Sequence, residues 1–459
     1  MLGIIGIIIS LALLMYLAYK GISVLVLAPI LAVLAVLFQG GQPHILANYT
    51  EVFMVNFAGY AKAYFPIFLL GAIFGKIMDD SGAAKAIAHT ISKKLGKDKA
   101  ILAVVLSCAI LTYGGVSLFV VAFAVYPIAA ALFREADVPK RFIPASIALG
   151  SFTFTMTALP GTPQIQNAIP MPFFGTTSWA APILGLIGAA VMFGGGMYWL
   201  TRRSKKAMAG GEGYGEHANE VIKTFDISKL PSFGKALVPI IVVLVVNLLL
   251  GKLVFANMDG GFLKEFGGIT ISKVKGIWSL ISSLVIAIVI AIALFWKNFD
   301  SVKDTVNKGA IGSLLAIANT ASEVGYGNVI KTLAAFALIK TAILAIPGTP
   351  LISLAASTSI LAGITGSASG GMSIALGALG EIYMQKATAL GINPQAFHRI
   401  AAMACGGLDT LPHNGAVITL LGITGLTHKE SYIDLAMCTV VIPLIATAVS
   451  IVFATMGVV

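Results

Sequence analysis

Apolar runs long enough to cross a bilayer recur along the chain, and several stop at a short polar or glycine-rich break before resuming. A helix of roughly 20 apolar residues spans the hydrocarbon core of a membrane. On that measure residues 2–19 and 21–38 predict two spans hinged at Lys20-Gly21, and residues 60–78 a third, after a loop carrying His44 and Glu51. Residues 82–95 are too short and too basic to cross and predict an amphipathic helix lying in the interface. Residues 100–133 are apolar at both ends but interrupted at Thr112-Tyr113-Gly114-Gly115. Two short arms around a Gly-Gly tip predict a re-entrant hairpin, because irregular backbone at membrane depth is tolerated only where protein or a cavity surrounds it. Residues 142–169 predict a helix broken between Thr157 and Gln164 by Pro160, Gly161, Thr162 and Pro163, and residues 178–200 a further span.

The one extended polar stretch, 201–234, predicts a flexible linker. Beyond it, spans are expected within 235–330 (near 235–255, 276–296 and 310–330), then a second interfacial stretch at about 331–346. Residues 350–388 repeat the hairpin pattern, with a tip at Thr365-Gly366-Ser367-Ala368-Ser369-Gly370-Gly371. Residues 396–426 read as a second broken helix, interrupted at Leu408-Asp409-Thr410-Leu411-Pro412-His413-Asn414-Gly415, and 433–456 as a final span.

The two halves, 1–200 and 235–459, read as copies. Gly-Gly-Val-Ser at 114–117 recurs as Gly-Gly-Met-Ser at 370–373, and Leu159-Pro160 as Leu411-Pro412. Phe-Gly-Lys-Ile at 74–77 recurs as Tyr-Gly-Asn-Val at 326–329, at the same offset as the Leu-Pro pair. Agreement in order and spacing carries the repeat where no single match would. The first half divides into scaffold helices over 1–78, the interfacial helix, the hairpin, the broken helix and a span.

Composition and charge refine this picture. The 459 residues are 58% hydrophobic and 11% charged, which excludes an ordinary soluble domain. The net charge of +11 reads as loop charge that sets topology rather than a nucleic-acid footprint. With the basic cluster Arg202, Arg203, Lys205, Lys206 in the cytoplasm, the basic loops at 85–99, 134–141 and 297–308 also fall inside and both termini outside. The repeats are then inverted, the recurring plan of secondary transporters. Cys108, Cys405 and Cys438 have no paired spacing and read as packing residues. The first apolar run lacks a basic leader and cleavage site and reads as a retained span.

Candidate chemistry lies at the breaks. Each half contributes two helix starts near the midplane, four in all, whose unpaired N–H groups and positive dipole ends suit a carboxylate. Carbonyls of the arms ending there suit a coupling cation or proton. The expected substrate-binding set is Tyr113, Gly114, Gly115, Ser117, Thr157, Thr162, Gln164, Thr365, Gly366, Ser367, Ser369, Thr410 and Asn414. Any single Ser or Thr among them could instead bond back within its own helix. Few acids lie in apolar stretches: Glu323, Glu381, Asp409 and Asp434. Asp409, His413 and Glu323 are the proton-coupling candidates. Asp409 could instead cap the second half-helix, His413 could be a core histidine, and Glu381 could pair with Arg399.

Phe68-Leu-Leu-Gly-Ala-Ile-Phe-Gly-Lys-Ile-Met-Asp-Asp-Ser-Gly-Ala-Ala84, the tip Thr112-Tyr-Gly-Gly-Val-Ser117 and Thr157-Ala-Leu-Pro-Gly-Thr-Pro-Gln164 resemble the gluconate permease family, and within it the hydroxybutyrate-permease branch. The resemblance implies the ion-transporter superfamily fold: an all-α polytopic membrane protein with a dimerising scaffold domain and a transport domain of two hairpins and two broken helices. It implies proton-coupled uptake of a small hydroxycarboxylate, 3-hydroxybutyrate or gluconate-like, across the bacterial inner membrane by an elevator movement. No cofactor and no metal are expected. At the second break the gluconate-type pattern Ser-His-x-Asn-Asp has only an approximate counterpart, His413-Asn414 followed by glycine, which weakens the case for gluconate itself. The alternative on the same fold is Na⁺ coupling. A channel would show a continuous polar stripe, and an intramembrane enzyme a nucleophile and base in register; the sequence shows neither pattern.

Overall fold

Prolines, glycines and side-chain caps set where the helices of this chain start and stop. Pro182, Pro350 and Pro394 each open a helix at its first turn, where a missing N–H is harmless. The computed structural model describes residues 2–39, 44–217 and 226–459; Met1, residues 40–43 of the expected scaffold segment and residues 218–225 of the expected linker lie outside the described residues. Among the described residues the regular structure is entirely helical. Six helices among the described residues are long and apolar enough to cross a membrane, or seven if one bent pair counts as a span.

In chain order, α1 (Leu2–Tyr19) and α2 (Val24–Leu37) pack on each other, and α3 (Ile45–Asp80) follows. Next come α4 (Ala83–Leu95), α5 (Ala100–Tyr113) and α6 (Leu118–Glu135). α7 (Phe142–Ser151) leads into the first break, and α8 (Pro182–Ala209) leaves it. The second half holds α9 (Phe233–Val254), α10 (Ile271–Leu294) and α11 (Val302–Thr332). α12 (Phe336–Leu344) turns from α11 by 95°. Then follow α13 (Pro350–Thr365), α14 (Ala368–Leu390), α15 (Pro394–Cys405), α16 (Gly415–Thr424) and α17 (His428–Thr455).

Packing sorts these helices into two groups. α11 lies along α3 and α2, and α10 packs on α9 and α3. A separate apolar cluster joins α1, α2 and the end of α11 through Leu14, Leu31 and Val329, with Ser10 and Tyr326 hydroxyls bonded at 2.7 Å. In the other group α5 packs on α7, α8 on α17, and α13 on both α14 and α15.

Besides α3, which starts at Ile45 and not near 60, so that Glu51 sits on a helix and not in a loop, two boundaries differ from the sequence expectation. α8 runs on to Ala209, so Arg202, Arg203, Lys205 and Lys206 sit on a helix and not on a linker. The reason is local: this stretch is made of good helix formers, and the first breaker is Gly210-Gly211. That helix end is tied down by charge. The buried Asp434 carboxylate accepts from Arg141 Nη1 at 2.9 Å, Arg203 Nε at 3.1 Å and Trp199 Nε1 at 2.9 Å. Arg141 also grips Glu212, at 2.6 and 3.0 Å, and holds that carboxyl below its ordinary range.

The second difference lies in the first break. After α7 the chain forms only four-residue turns, Phe154–Thr157, Ile165–Ala168 and Met171–Phe174, before α8. Pro160, Pro163, Pro170 and Pro172 interrupt it repeatedly, since each lacks an N–H and cannot continue a helix. Four helix starts were expected at the breaks; three substantial ones exist, at α6, α14 and α16.

Candidate functional site

The tips of two helical hairpins and the two breaks meet around one cavity of about 740 Å³. Each tip rests on a break. Gly115, at φ +99°, faces Pro163 so closely that a Cβ there would fall 2.8 Å from its Cγ. Gly366, at φ +64°, stands in the same relation to His413, with 2.8 Å to its Cδ2. Glycine is required at both, by the left-handed backbone and by the space.

The cavity borders Gly115 and Ser117 of the first tip, Thr157 and Gln164 of the first break, and Thr365, Gly366, Ser367 and Ser369 of the second tip. Asp409, Thr410, His413 and Asn414 of the second break complete that side. Glu323 of α11 faces them, beside Ile67, Phe68, Gly71 and Ala72 of α3 and the α1–α2 turn at Gly21–Val24. Tyr113, Gly114 and Thr162 do not reach the cavity. The Tyr113 hydroxyl donates to Pro160 O at 2.8 Å, tying tip to break. Gly114 packs on Ile240 of α9, and Thr162 is wholly buried.

Three helix starts open here, each with a side-chain cap. Ser117 accepts from Val120 N at 3.5 Å, Ser367 from Gly370 N at 3.1 Å, and Asn414 from Val417 N at 2.9 Å. Each cap satisfies one of the free N–H groups of its first turn and leaves the others, with the positive end of the dipole, toward the cavity. Asn414, not Asp409, caps the second half-helix, and its Nδ2 donates to Gly366 O at 2.8 Å, locking tip to break.

The hydroxyls divide by the bonds they already make. Thr157 donates back to Thr153 O at 3.1 Å and Thr365 to Leu361 O at 2.9 Å. Thr410 donates to Thr439 Oγ1 at 2.8 Å. Gln164 Nε2 is engaged with Thr112 O at 2.8 Å and Val116 O at 3.3 Å, closing the end of α5. Ser369 makes only a long contact with Ser367, 3.5 Å between oxygens. Thr157, Thr365 and Thr410 therefore offer lone pairs to a ligand more readily than protons.

Three ionisable atoms in this wall have no hydrogen-bond partner: Asp409 Oδ1, Glu323 Oε2 and His413 Nε2. Asp409 is 8% exposed and Glu323 5%. Glu323 lies against the second tip, where a side chain at Gly370 would overlap its carboxylate. Buried polar atoms are ordinarily bonded, and ionisable ones at membrane depth persist for function.

Four functional-looking residues were not anticipated in this arrangement. Gln166 borders the cavity with a buried, unpartnered Oε1. Arg399, for which a pairing with Glu381 was one of the open readings, is fully buried and makes no ion pair among the described residues. Its five donors are spent on the first break: Nε to Ala180 O (3.1 Å), Nη1 to Thr157 O (3.3 Å) and Asn167 Oδ1 (3.0 Å), Nη2 to Ser178 O (3.2 Å) and Ala180 O (2.7 Å). Asn167 Nδ2 donates to Thr162 O and Ser178 O at 2.9 and 2.8 Å, so its Oδ1 is an acceptor. His398 Nε2, 3.0 Å from that oxygen, is therefore its donor, and His398 Nδ1 accepts from Thr176 Oγ1 at 2.6 Å. The signals in the sequence were the polar run Gln164–Asn167 and two adjacent ionisable residues inside the apolar stretch 396–407.

Known proteins bear on what this arrangement is. The chain is 47% identical, over 99% of both chains, to a Bacillus subtilis (strain 168) protein named uncharacterized transporter YxjC. A Haemophilus influenzae uncharacterized transporter is 32% identical over 41% of this chain and 43% of its own. Among solved structures, the crystal structure of the Alcanivorax borkumensis YdaH transporter, reported with an unusual topology, superposes with a TM-score of 0.56 at 15% identity. That match covers 91% of this chain and 90% of the other, and it speaks for the fold alone. These relatives are transporters, not enzymes, and the chain is a multi-pass membrane protein. The family model described as GntP family permease matches residues 2–456, and the chain belongs to that family.

Proposed function

We propose that this permease is a secondary active symporter that carries a small hydroxycarboxylate, of the size of 3-hydroxybutyrate or gluconate, into the bacterial cell together with a proton. The observation that carries this reading is the convergence of three capped helix starts, at Ser117, Ser367 and Asn414, on one cavity whose wall also holds the unpartnered Asp409. Helix starts attract a carboxylate, and the hydroxyls and amides around them suit the substrate's own hydroxyl groups. Asp409, with His413 and Glu323 beside it, is the proton carrier in this account. A carboxyl that is neutral while buried can release its proton when the site hydrates.

The transport step is an elevator movement. The hairpins, the breaks, α7, α8 and α17 move as one body against a scaffold of α1–α3 and α9–α12, and two scaffolds pair in a homodimer. The two halves, 1–200 and 235–459, are inverted repeats in this reading. The basic helix ends face the cytoplasm and both termini face outside. The cavity then reaches the cytoplasmic side along the α1–α2 turn and the first half of α11, so the conformation is inward-facing.

Uptake of labelled 3-hydroxybutyrate into proteoliposomes tests the proposal. An inwardly directed proton gradient without sodium is expected to drive accumulation. Accumulation that needs sodium and ignores pH would replace the proton by Na⁺, and turnover of substrate without uptake would remove transport altogether.

A further inference from the structure

Arg399 is a full positive charge with no carboxylate paired to it among the described residues, and it lies behind the cavity wall rather than in it. It is fully buried, and an arginine stays protonated even there. A buried charge without a counter-ion is retained only where hydrogen bonds and function support it. Here all five guanidinium donors are used, four of the five bonds going to main-chain carbonyls of the first break. Such dipoles solvate the charge without cancelling it. One of those carbonyls belongs to Thr157, which borders the cavity, so the guanidinium lies one residue behind the surface that a ligand would touch. Among the described residues no lysine or arginine lines the cavity, whose ionisable groups there are Glu323, Asp409 and His413.

From this arrangement we infer that Arg399 is the fixed counter-charge of the transported anion and limits the substrate class to monocarboxylates. It acts as a positioning and specificity-determining residue through the wall of the first break, with no direct contact to substrate. One uncompensated cation balances one carboxylate. A second carboxylate on the substrate would meet Asp409 and Glu323 with no further cation to offset it. In a low-dielectric surround, a charge a few ångströms behind the wall still acts strongly on an anion in the cavity. The inference rests on the reading of the cavity as a carboxylate site.

The test is binding of 3-hydroxybutyrate and of malate to the purified full-length protein, followed by calorimetry, in the wild type and in Arg399→Lys and Arg399→Gln. The wild type should prefer the monocarboxylate. R399Q should lose about ten- to a hundredfold in affinity for it. R399K keeps the charge but has only three donors and cannot reproduce the five-bond pattern, so a purely structural role predicts equal loss in both variants. The counter-charge role predicts that R399K retains most of the affinity even where its melting temperature falls. Equal loss in R399K and R399Q, or unchanged affinity in R399Q, would overturn the inference.

Should R399Q not fold, Asn167→Asp sets a carboxylate against the guanidinium and keeps an acceptor at the same place, while giving up the two amide bonds to Thr162 O and Ser178 O. It should weaken monocarboxylate binding similarly, and unchanged binding would count against the charge. A wild type that prefers malate contradicts the inference while leaving carboxylate transport standing. A wild type that binds neither compound removes the carboxylate reading itself.

Discussion

Between Thr157 and Ala180 the carbonyls freed by the first break are met by a fully buried arginine and a tyrosine drawn from elsewhere in the chain and by Asn167 of the break itself. Between Leu408 and Asn414 the second break has lighter ties: Tyr432 Oη to Thr410 O at 3.0 Å, His428 Nε2 to Pro412 O at 2.9 Å, and the Asn414 bridge to Gly366. The first break encloses a charge whose donors are all satisfied. The second leaves two ionisable atoms, Asp409 Oδ1 and His413 Nε2, without partners, whereas the unpartnered atoms of the first, such as Gln166 Oε1, are neutral. The two interruptions thus differ in what is left unspent. The contrast suggests a division of work, with the first break a rigid, positively charged wall and the second a place where a proton can be taken up and released.

The largest effect that would test this contrast is expected at Asn167. Asn167→Leu removes an acceptor from both Arg399 and His398 and two donors from the break. Stripping a partner from a buried charge costs about 3–5 kcal/mol, so the purified protein should melt far below the wild type or fail to be recovered. Asn414→Leu, its counterpart at the second break, breaks a helix cap and one bond to the tip. About 1–3 kcal/mol is at stake there, and the protein should stay folded while uptake falls. Equal destabilisation by the two changes would erase the contrast.

Ser369→Trp comes next, with Ser117→Trp beside it. A bulky side chain at either tip should fill the cavity and abolish substrate binding, while normal affinity would remove that tip from the site. Gly366→Ala is milder: it forces a left-handed backbone, at about 1–2 kcal/mol, and pushes on His413. Uptake should drop several-fold, and wild-type uptake would show that His413 need not hold its place. Tyr113→Phe is expected to do least. It leaves Pro160 O unpaired at about 1 kcal/mol and should lower the melting temperature slightly with KM unchanged, because the hydroxyl does not face the cavity. A raised KM would put Tyr113 back among the binding residues.

The sequence carried the membrane class, the helical architecture and the family well, because span length, glycine pairs and proline breaks are local signals. The end of α8 was also legible in principle. Arg202–Ala209 is a run of good helix formers with no breaker until Gly210, and polarity alone suggested a linker. The role of Arg399 was not legible. Its partners at Thr157, Asn167, Ser178 and Ala180 lie more than 200 residues away in the chain. No spacing rule connects them, and neither of the acids flanking it in sequence, Glu381 and Asp409, pairs with it among the described residues. The prolines of the first break were visible individually. That they leave only four-residue turns, and so remove one of the four expected helix starts, depends on how the segment packs.

Asp409→Asn in proteoliposomes tests the central claim most directly, since it keeps the shape of the second break and removes only its ability to carry a proton. Accumulation of labelled substrate under an inward proton gradient should be abolished, while exchange of internal for external substrate continues at a reduced rate. Proton-driven accumulation at the wild-type level in Asp409→Asn would contradict the account.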